Sequence, residues 1–146
     1  MSIKIRNLKE EDLPYILNIA TQSFSLPWSL KTFKDEFLNP NTIFKVAEFD
    51  GEIAGYIVLR KILDEAELLS IAVKPELRRK GIATKLIKNI LDEIKDSVKC
   101  CFLEVRVSNI KAINLYEKLG FKKVRIRKKY YTLPEEDAII MRLDFS

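Results

Sequence analysis

Two places in this chain have residue types and spacing suited to chemistry. The first is Arg78-Arg79-Lys80-Gly81-Ile82-Ala83. It follows an apolar run, Leu68–Val73, that Lys74-Pro75 brings to an end. Proline cannot donate a ladder hydrogen bond and turns its predecessor away from helix. The hexapeptide leads into Ile82, Leu86, Ile87, Ile90, Leu91 and Ile94, a stripe at helical spacing. The first turn of a helix carries unpaired N–H groups and the positive end of the dipole, so it suits a phosphate. Gly81 has no Cβ to hold a ligand off the backbone, and Arg78, Arg79 and Lys80 add cations at the same spot. A solvated basic turn with a glycine at the helix start fits the same residues. Gly-Lys-Ser/Thr is absent, so this is not a P-loop. The second place is Lys99–Val107, an apolar strand interrupted by Glu104 and Arg106. They lie two apart and share a face. A charge in a central strand is costly unless it is paired or performs a task. One reading is a Glu104–Arg106 structural pair; the other is a general base, which a carboxylate at a strand centre suits.

The composition narrows the rest. The chain of 146 residues has no histidine, which excludes a Ser-His-Asp triad and argues against a zinc site; no metal is expected. Its hydrophobic content of 47% and charged content of 32% are those of a globular protein, read as one domain over 1–146. A net charge of +5 favours anionic ligands. Cys100 and Cys101 are adjacent and poorly placed for an ordinary disulfide, which fits a reducing cytosol. No apolar run has membrane-spanning length and the first residues do not read as a signal peptide, so a cytoplasmic protein without a membrane partner is expected.

The elements that must hold these residues can be read in order. Ile3–Arg6 alternates as a strand, and Glu10–Ser23 reads as a helix with Leu13, Ile16, Leu17 and Ala20 inward. Leu26-Pro27-Trp28 is an apolar loop, suited either to packing as a hydrophobic staple or to lining a substrate wall. Ser29 caps a second helix with an apolar face of Leu30, Phe33, Phe37 and Leu38. Thr42–Arg60 is a hairpin about Asp50-Gly51, and a turn near Asp64-Glu65 leads to the strand before the basic loop, giving an antiparallel meander. Ser108 or Asn109 caps a helix that Gly120 closes, with Ala112, Ile113, Tyr116 and Leu119 inward. Tyr116 is a core aromatic with a polar tip. The chain ends in a hairpin with a long tip, Lys122–Tyr131 and Asp137–Phe145. Its first strand carries Lys122, Lys123, Arg125, Arg127, Lys128 and Lys129 and ends in Tyr130-Tyr131. Nucleic-acid binding is one reading of that strand, and a solvated edge that discourages aggregation is the other.

Arg78-x-x-Gly81-x-Ala83 resembles the Q/R-x-x-G-x-G/A motif of the GNAT superfamily of N-acetyltransferases, and Asn109-x-x-Ala112-x-x-x-Tyr116-x-x-x-Gly120-Phe121 matches a second signature of that family in full. Leu26-Pro27-Trp28-Ser29, Asp64-Glu65-Ala66-Glu67-Leu68, Leu103-Glu104-Val105-Arg106, Leu115-Tyr116-Glu117, Tyr130-Tyr131 and Glu136-Asp137-Ala138 resemble the ribosomal-protein-alanine N-acetyltransferase group over nearly the whole chain. The resemblance implies an α+β fold: a mixed, mostly antiparallel sheet of about six to seven strands, with about four helices on both faces and a V-shaped gap between two central strands. It implies acetyl-CoA as cosubstrate, held by the amides of Arg79, Lys80, Gly81, Ile82, Ala83 and Thr84, by the backbone of Ile71, Ala72 and Val73, and by Asn109. It makes Glu104 the general base and Tyr116 the general acid. The expected acceptor is a protein N-terminus, with a ribosomal protein as one candidate, entering between Leu26-Pro27-Trp28 and Tyr130-Tyr131. Acetylation of a small amine, and an RNA- or ribosome-binding module on the same fold, are the alternatives.

Overall fold

The computed structural model describes residues 2–145. Its strands are β1 (Ile3–Asn7), β2 (Thr42–Phe49), β3 (Glu52–Ile62), β4 (Glu65–Val73), β5 (Cys100–Arg106), β6 (Lys122–Thr132) and β7 (Glu135–Asp144). Its helices are α1 (Leu13–Ser23), α2 (Leu30–Leu38), α3 (Ile82–Ile94) and α4 (Ile110–Lys118). The strands form one sheet in the order β1-β2-β3-β4-β5-β7-β6. Among the described residues only β4 and β5 pair in parallel; the other neighbours are antiparallel. The mixed α+β architecture is the expected one. One core cluster packs α3 and α4 on the sheet through Leu86, Ile87, Ile90, Ile113 and Tyr116. The other packs α1 and α2 on the opposite face through Ile16, Ile19 and Phe33.

Local chemistry explains several junctions. Asp50 and Gly51 have φ of 50° and 86°, the two left-handed positions that a type I′ hairpin turn requires. The Ser29 hydroxyl accepts from the Thr32 amide at 3.1 Å and so caps α2. Trp28, just before that cap, packs on Phe33 one turn into α2, with ring centroids 5.1 Å apart. Trp28 is thus the hydrophobic staple, and the apolar loop divides: Trp28 turns inward while Leu26 is 60% exposed.

Other expectations are corrected. The first helix opens as a 3₁₀ turn, Glu10–Asp12, because the Asp12 carboxylate is held by Arg6 at 2.8 and 3.1 Å and accepts from the Lys9 amide. In α1 Ile19, rather than Leu17, is fully buried. In α2 Leu30 and Leu38 are exposed, while Glu36 is buried because Arg60 and Thr42 satisfy it. The last hairpin has a two-residue tip, Leu133-Pro134, since the ladder continues through Tyr131↔Glu136 and Thr132↔Glu135.

The feature that makes the site is the parting of β4 and β5. Their parallel pairing covers only Glu65↔Cys100, Ala66↔Cys101 and Glu67↔Phe102. Beyond those pairs both strands continue without a shared ladder. On its other side β4 stays paired to β3, with a register shift that leaves Leu69 without a partner. A bulge of this kind bends its strand and increases its twist, which swings the end of β4 away from β5. Gly55 lets β3 follow β4 closely: a Cβ there would lie 2.8 Å from the Ala72 carbonyl oxygen.

Candidate active site

At the open end of the gap the chain passes from β4 through Lys74-Pro75 into the basic loop and α3. Gly81 stands at the N-cap of α3 with φ of 81°, a left-handed conformation that favours glycine. Nothing lies within 4 Å of where its Cβ would be. The Lys85 amide donates to the Gly81 carbonyl at 3.1 Å. The amides of Arg79 to Thr84 have no hydrogen-bond acceptor among the described residues. They are a set of unsatisfied donors at the positive end of a 13-residue helix. The cations divide in role. Arg78 is used by the fold: its Nε donates to the Val73 carbonyl at 3.1 Å and its Nη2 to Ser23 Oγ at 3.3 Å. Arg79 and Lys80 make no ion pair among the described residues, and the Lys80 ammonium lies 5.3 Å from the centre of the Phe49 ring. Ile82 is a core residue by its side chain, so only its amide can serve a ligand.

Along the gap, the backbone of β4 presents alternating groups. The Lys74 amide donates to the Ala54 carbonyl on β3 at 2.7 Å. Alternation turns Ala72 toward β3 as well, and leaves Ile71 and Val73 facing the gap. The Asn109 side chain caps α4, accepting from the Ala112 amide at 3.3 Å, which resolves the choice between Ser108 and Asn109.

Glu104 and Tyr116 flank β5 from opposite faces. Leu103 and Val105 point into the core that holds Tyr116, so Glu104 points the other way. The Tyr116 ring is buried against Phe121, and its hydroxyl makes no hydrogen bond among the described residues. Burial, and then Tyr131, push its pKa up to about 12, so the phenol stays protonated at neutral pH. The Glu104–Arg106 pair does not form. The Arg106 donors are taken by the tip of the β6–β7 hairpin: Glu136 at 3.2 Å, the Pro134 carbonyl at 2.9 Å and the Leu133 carbonyl at 3.3 Å. The partner of Glu104 is Arg127 on β6, at 3.1 Å. Glu67 faces the same groove, and its carboxyl is held above the usual range by burial and then by Glu104. The groove, about 450 Å³, crosses β5, β7 and β6 and is lined by Glu67, Phe102, Glu104, Arg125, Arg127 and Ile140.

Above the groove the α1–α2 loop meets the last hairpin, where the Ser25 hydroxyl donates to the Leu133 carbonyl. Tyr130 and Tyr131 are consecutive, yet both lie over arginines of the same face. Arg127 is 4.4 Å from the Tyr130 ring centre and Arg106 is 4.2 Å from that of Tyr131. Burial, then Glu104, push the Tyr131 hydroxyl up to about 12. Leu26, Pro27, Tyr130 and Tyr131 are brought to one end of the sheet; Trp28 is spent on the core. Reading the sequence missed Arg127, Glu67 and Glu136. Arg127 was one of six cations on a strand whose alternation a bulge breaks, so no period marked it.

Among the described residues no group of three or more His, Cys, Asp or Glu side chains is placed to hold a metal. Among the described residues no helix is long and apolar enough to cross a membrane.

Comparison with known proteins bears on this geometry. The chain is 40% identical over 149 residues to the ribosomal protein bS18-alanine N-acetyltransferase of Escherichia coli K12, covering 97% of each. It is 35% identical over 152 residues to an N-alpha-acetyltransferase of Sulfurisphaera tokodaii, covering 94% of this chain and 90% of the relative. The crystal structure of the ribosomal-protein-S18-alanine N-acetyltransferase from Escherichia coli superposes with a TM-score of 0.93 at 38% identity, over 99% of this chain and 95% of that one. The acetyltransferase (GNAT) family profile matches residues 13–121, which span the parted strands, the loop of free amides and Tyr116. The chain belongs to the GNAT family of acetyltransferases, with acetyl-CoA as the acetyl donor.

Proposed function

We propose that the chain transfers the acetyl group of acetyl-CoA to the N-terminal α-amino group of a protein, a ribosomal protein among its acceptors, in the cytoplasm. One observation carries the reading: β4 and β5 part beside a free set of helix-start amides, with a carboxylate on one face of β5 and a buried phenol on the other. The amides of Arg79 to Thr84 take the pyrophosphate, with Arg79 and Lys80 adding charge and Arg78 bracing the loop. The gap-facing backbone of Ile71 and Val73, with Ala72 holding β4 to β3, and the Asn109 side chain hold the rest of the cosubstrate.

Acetyl-CoA supplies the thioester. Glu104 accepts the proton that the α-ammonium must lose before its nitrogen can attack the carbonyl carbon. Tyr116 gives a proton to the sulfur as the carbon–sulfur bond breaks, and the second proton that the nitrogen sheds as the amide forms returns to the phenolate. The α-ammonium has a pKa of about 7.7–8.0 against about 10.4 for a lysine side chain, so a carboxylate is base enough for the former near neutral pH. Leu26, Pro27, Tyr130 and Tyr131 form the walls between which the acceptor's first residues enter.

Replacing Glu104 by Gln keeps the shape and removes the base. kcat/KM at pH 7 falls by about 10²–10⁴-fold with acetyl-CoA binding unchanged. The deficit narrows as pH rises past the α-amino pKa, where the acceptor arrives deprotonated. Parallel pH profiles for the two proteins would remove Glu104 from the role of base.

A further inference from the structure

A base in an open groove has to be held in place. A glutamate side chain has three rotatable torsions, and Glu104 is a quarter exposed in an open groove. Glu67 shares that groove and repels it. Proton transfer needs the carboxylate within hydrogen-bond reach of the amine. Restraint therefore has to come from neighbours, and β6 supplies them. The Arg127 Nη1 donates to Glu104 Oε1 at 3.1 Å, and the Arg127 Cζ lies over the Tyr130 ring, 4.4 Å from its centre. The Tyr130 hydroxyl is held above its ordinary pKa first by the neighbouring Glu104 carboxylate and then by burial, so its ring closes the same side of the groove.

A distortion of β6 makes this possible. Pairing runs Arg127↔Ala138 and resumes at Tyr131↔Glu136, so Lys128, Lys129 and Tyr130 stand opposite Asp137 alone. Lys129 is left-handed, with φ of 52°, and its amide donates to Asp137 Oδ1 at 2.9 Å. In a regular strand Tyr130 and Tyr131 would point to opposite faces. The bulge brings both to the face that carries Glu104.

We infer that Arg127, stacked on Tyr130 by the bulge in β6, is the positioning residue that clamps Glu104 for proton transfer. This rests on Glu104 being the base. A half-exposed ion pair of this kind contributes little to stability. The clamp therefore shows in turnover rather than in folding.

The test measures kcat and both KM values for Arg127→Met, Arg127→Lys, Tyr130→Phe, Glu104→Gln and the double variant Glu104→Gln/Arg127→Met. The acceptor is a short peptide with a neutral first residue. Arg127→Met lowers kcat by about 10²-fold, the scale of a misplaced catalytic group, and leaves the KM for acetyl-CoA and the melting temperature nearly unchanged. Lysine recovers part of the loss, because it brings the charge without the planar fork, and free guanidinium ion added to Arg127→Met does likewise. The double variant is no slower than Glu104→Gln alone. Wild-type kcat in Arg127→Met, or losses that multiply in the double variant, would overturn the clamp. Should Arg127→Met fail to fold, Tyr130→Phe removes one hydroxyl and is judged the same way. Its kcat loss must vanish in the Glu104→Gln background, and a loss that persists there overturns the proposal. Full activity in Glu104→Gln itself would sink the base, whereas full activity in Arg127→Met with a crippled Glu104→Gln sinks only the clamp.

Discussion

Gly81 separates two demands that its position makes at once, one of backbone conformation and one of space. Its φ of 81° is left-handed, which costs an ordinary L-residue about 1–2 kcal/mol. The volume beside it is open, with no atom within 4 Å of a Cβ. Steric conflict with the protein is therefore absent, and any further penalty must come from a ligand. Asparagine tolerates the left-handed conformation, so Gly81→Asn should fold with nearly wild-type stability. Gly81→Val carries the conformational cost, made larger by its β-branch. If the pyrophosphate sits against these amides, both variants push it away. Losing one hydrogen bond to a charged group costs about 1.5–3 kcal/mol, which is roughly 10–100-fold in acetyl-CoA affinity at 1.4 kcal/mol per tenfold. Calorimetric titration with acetyl-CoA beside a thermal melt reads both quantities. Gly81→Asn should bind at least about tenfold more weakly at an almost unchanged melting temperature. Wild-type affinity in Gly81→Asn would show that the open volume is only solvent and that the phosphate lies elsewhere.

Two other outcomes follow from the geometry. The Tyr116 hydroxyl makes no hydrogen bond among the described residues, so Tyr116→Phe should leave the melting temperature unchanged while kcat falls by about 10²–10⁴-fold, and a normal kcat would end its role as acid. Asp12 is held below the usual carboxylate range: burial alone would raise it, but the Arg6 hydrogen bond and the Lys9 amide outweigh that. A depressed folded value means that the stability from this pair is present above the unfolded value, about 3.9, and is lost as pH falls through the folded value. Asp12→Asn should therefore be less stable than wild type by roughly 1.5–3 kcal/mol at pH 7. The two melting curves should converge in acid, and a gap that stays constant with pH would assign the loss to something other than the ion pair.

Features decided within a few residues were legible without the fold. The Ser29 cap, the Asp50-Gly51 turn, the end of β4 before Pro75 and the face of α3 all depend on neighbours one to four positions away. So did the loop of free amides, because a helix start, a glycine and the adjacent cations are local facts. Tyr116 was identified as a core aromatic by helical spacing, and its ring is buried as that spacing required.

The partners of the charged residues were not legible, for a physical reason. Glu104 and Arg106 are two apart on one strand, which made them the obvious pair. Their side chains instead go to residues of the last hairpin, Arg127 and Glu136, and pair selection there depends on strand order and on a bulge. Periodicity assumes regular alternation, so it could not foresee two consecutive tyrosines on one face. The V-shaped gap has the same character. Its closed end is three paired residues and its open end an absence of pairing, set by how a bulge at Leu69 twists β4 away from a strand about thirty residues distant. The amino-acid sequence alone determined which groups could bind phosphate and carry protons, because those properties belong to residue types and first turns. Tertiary structure alone decided that the carboxylate and the phenol stand on opposite faces of β5, and that the carboxylate is answered by Arg127, because both follow from pairings between distant strands.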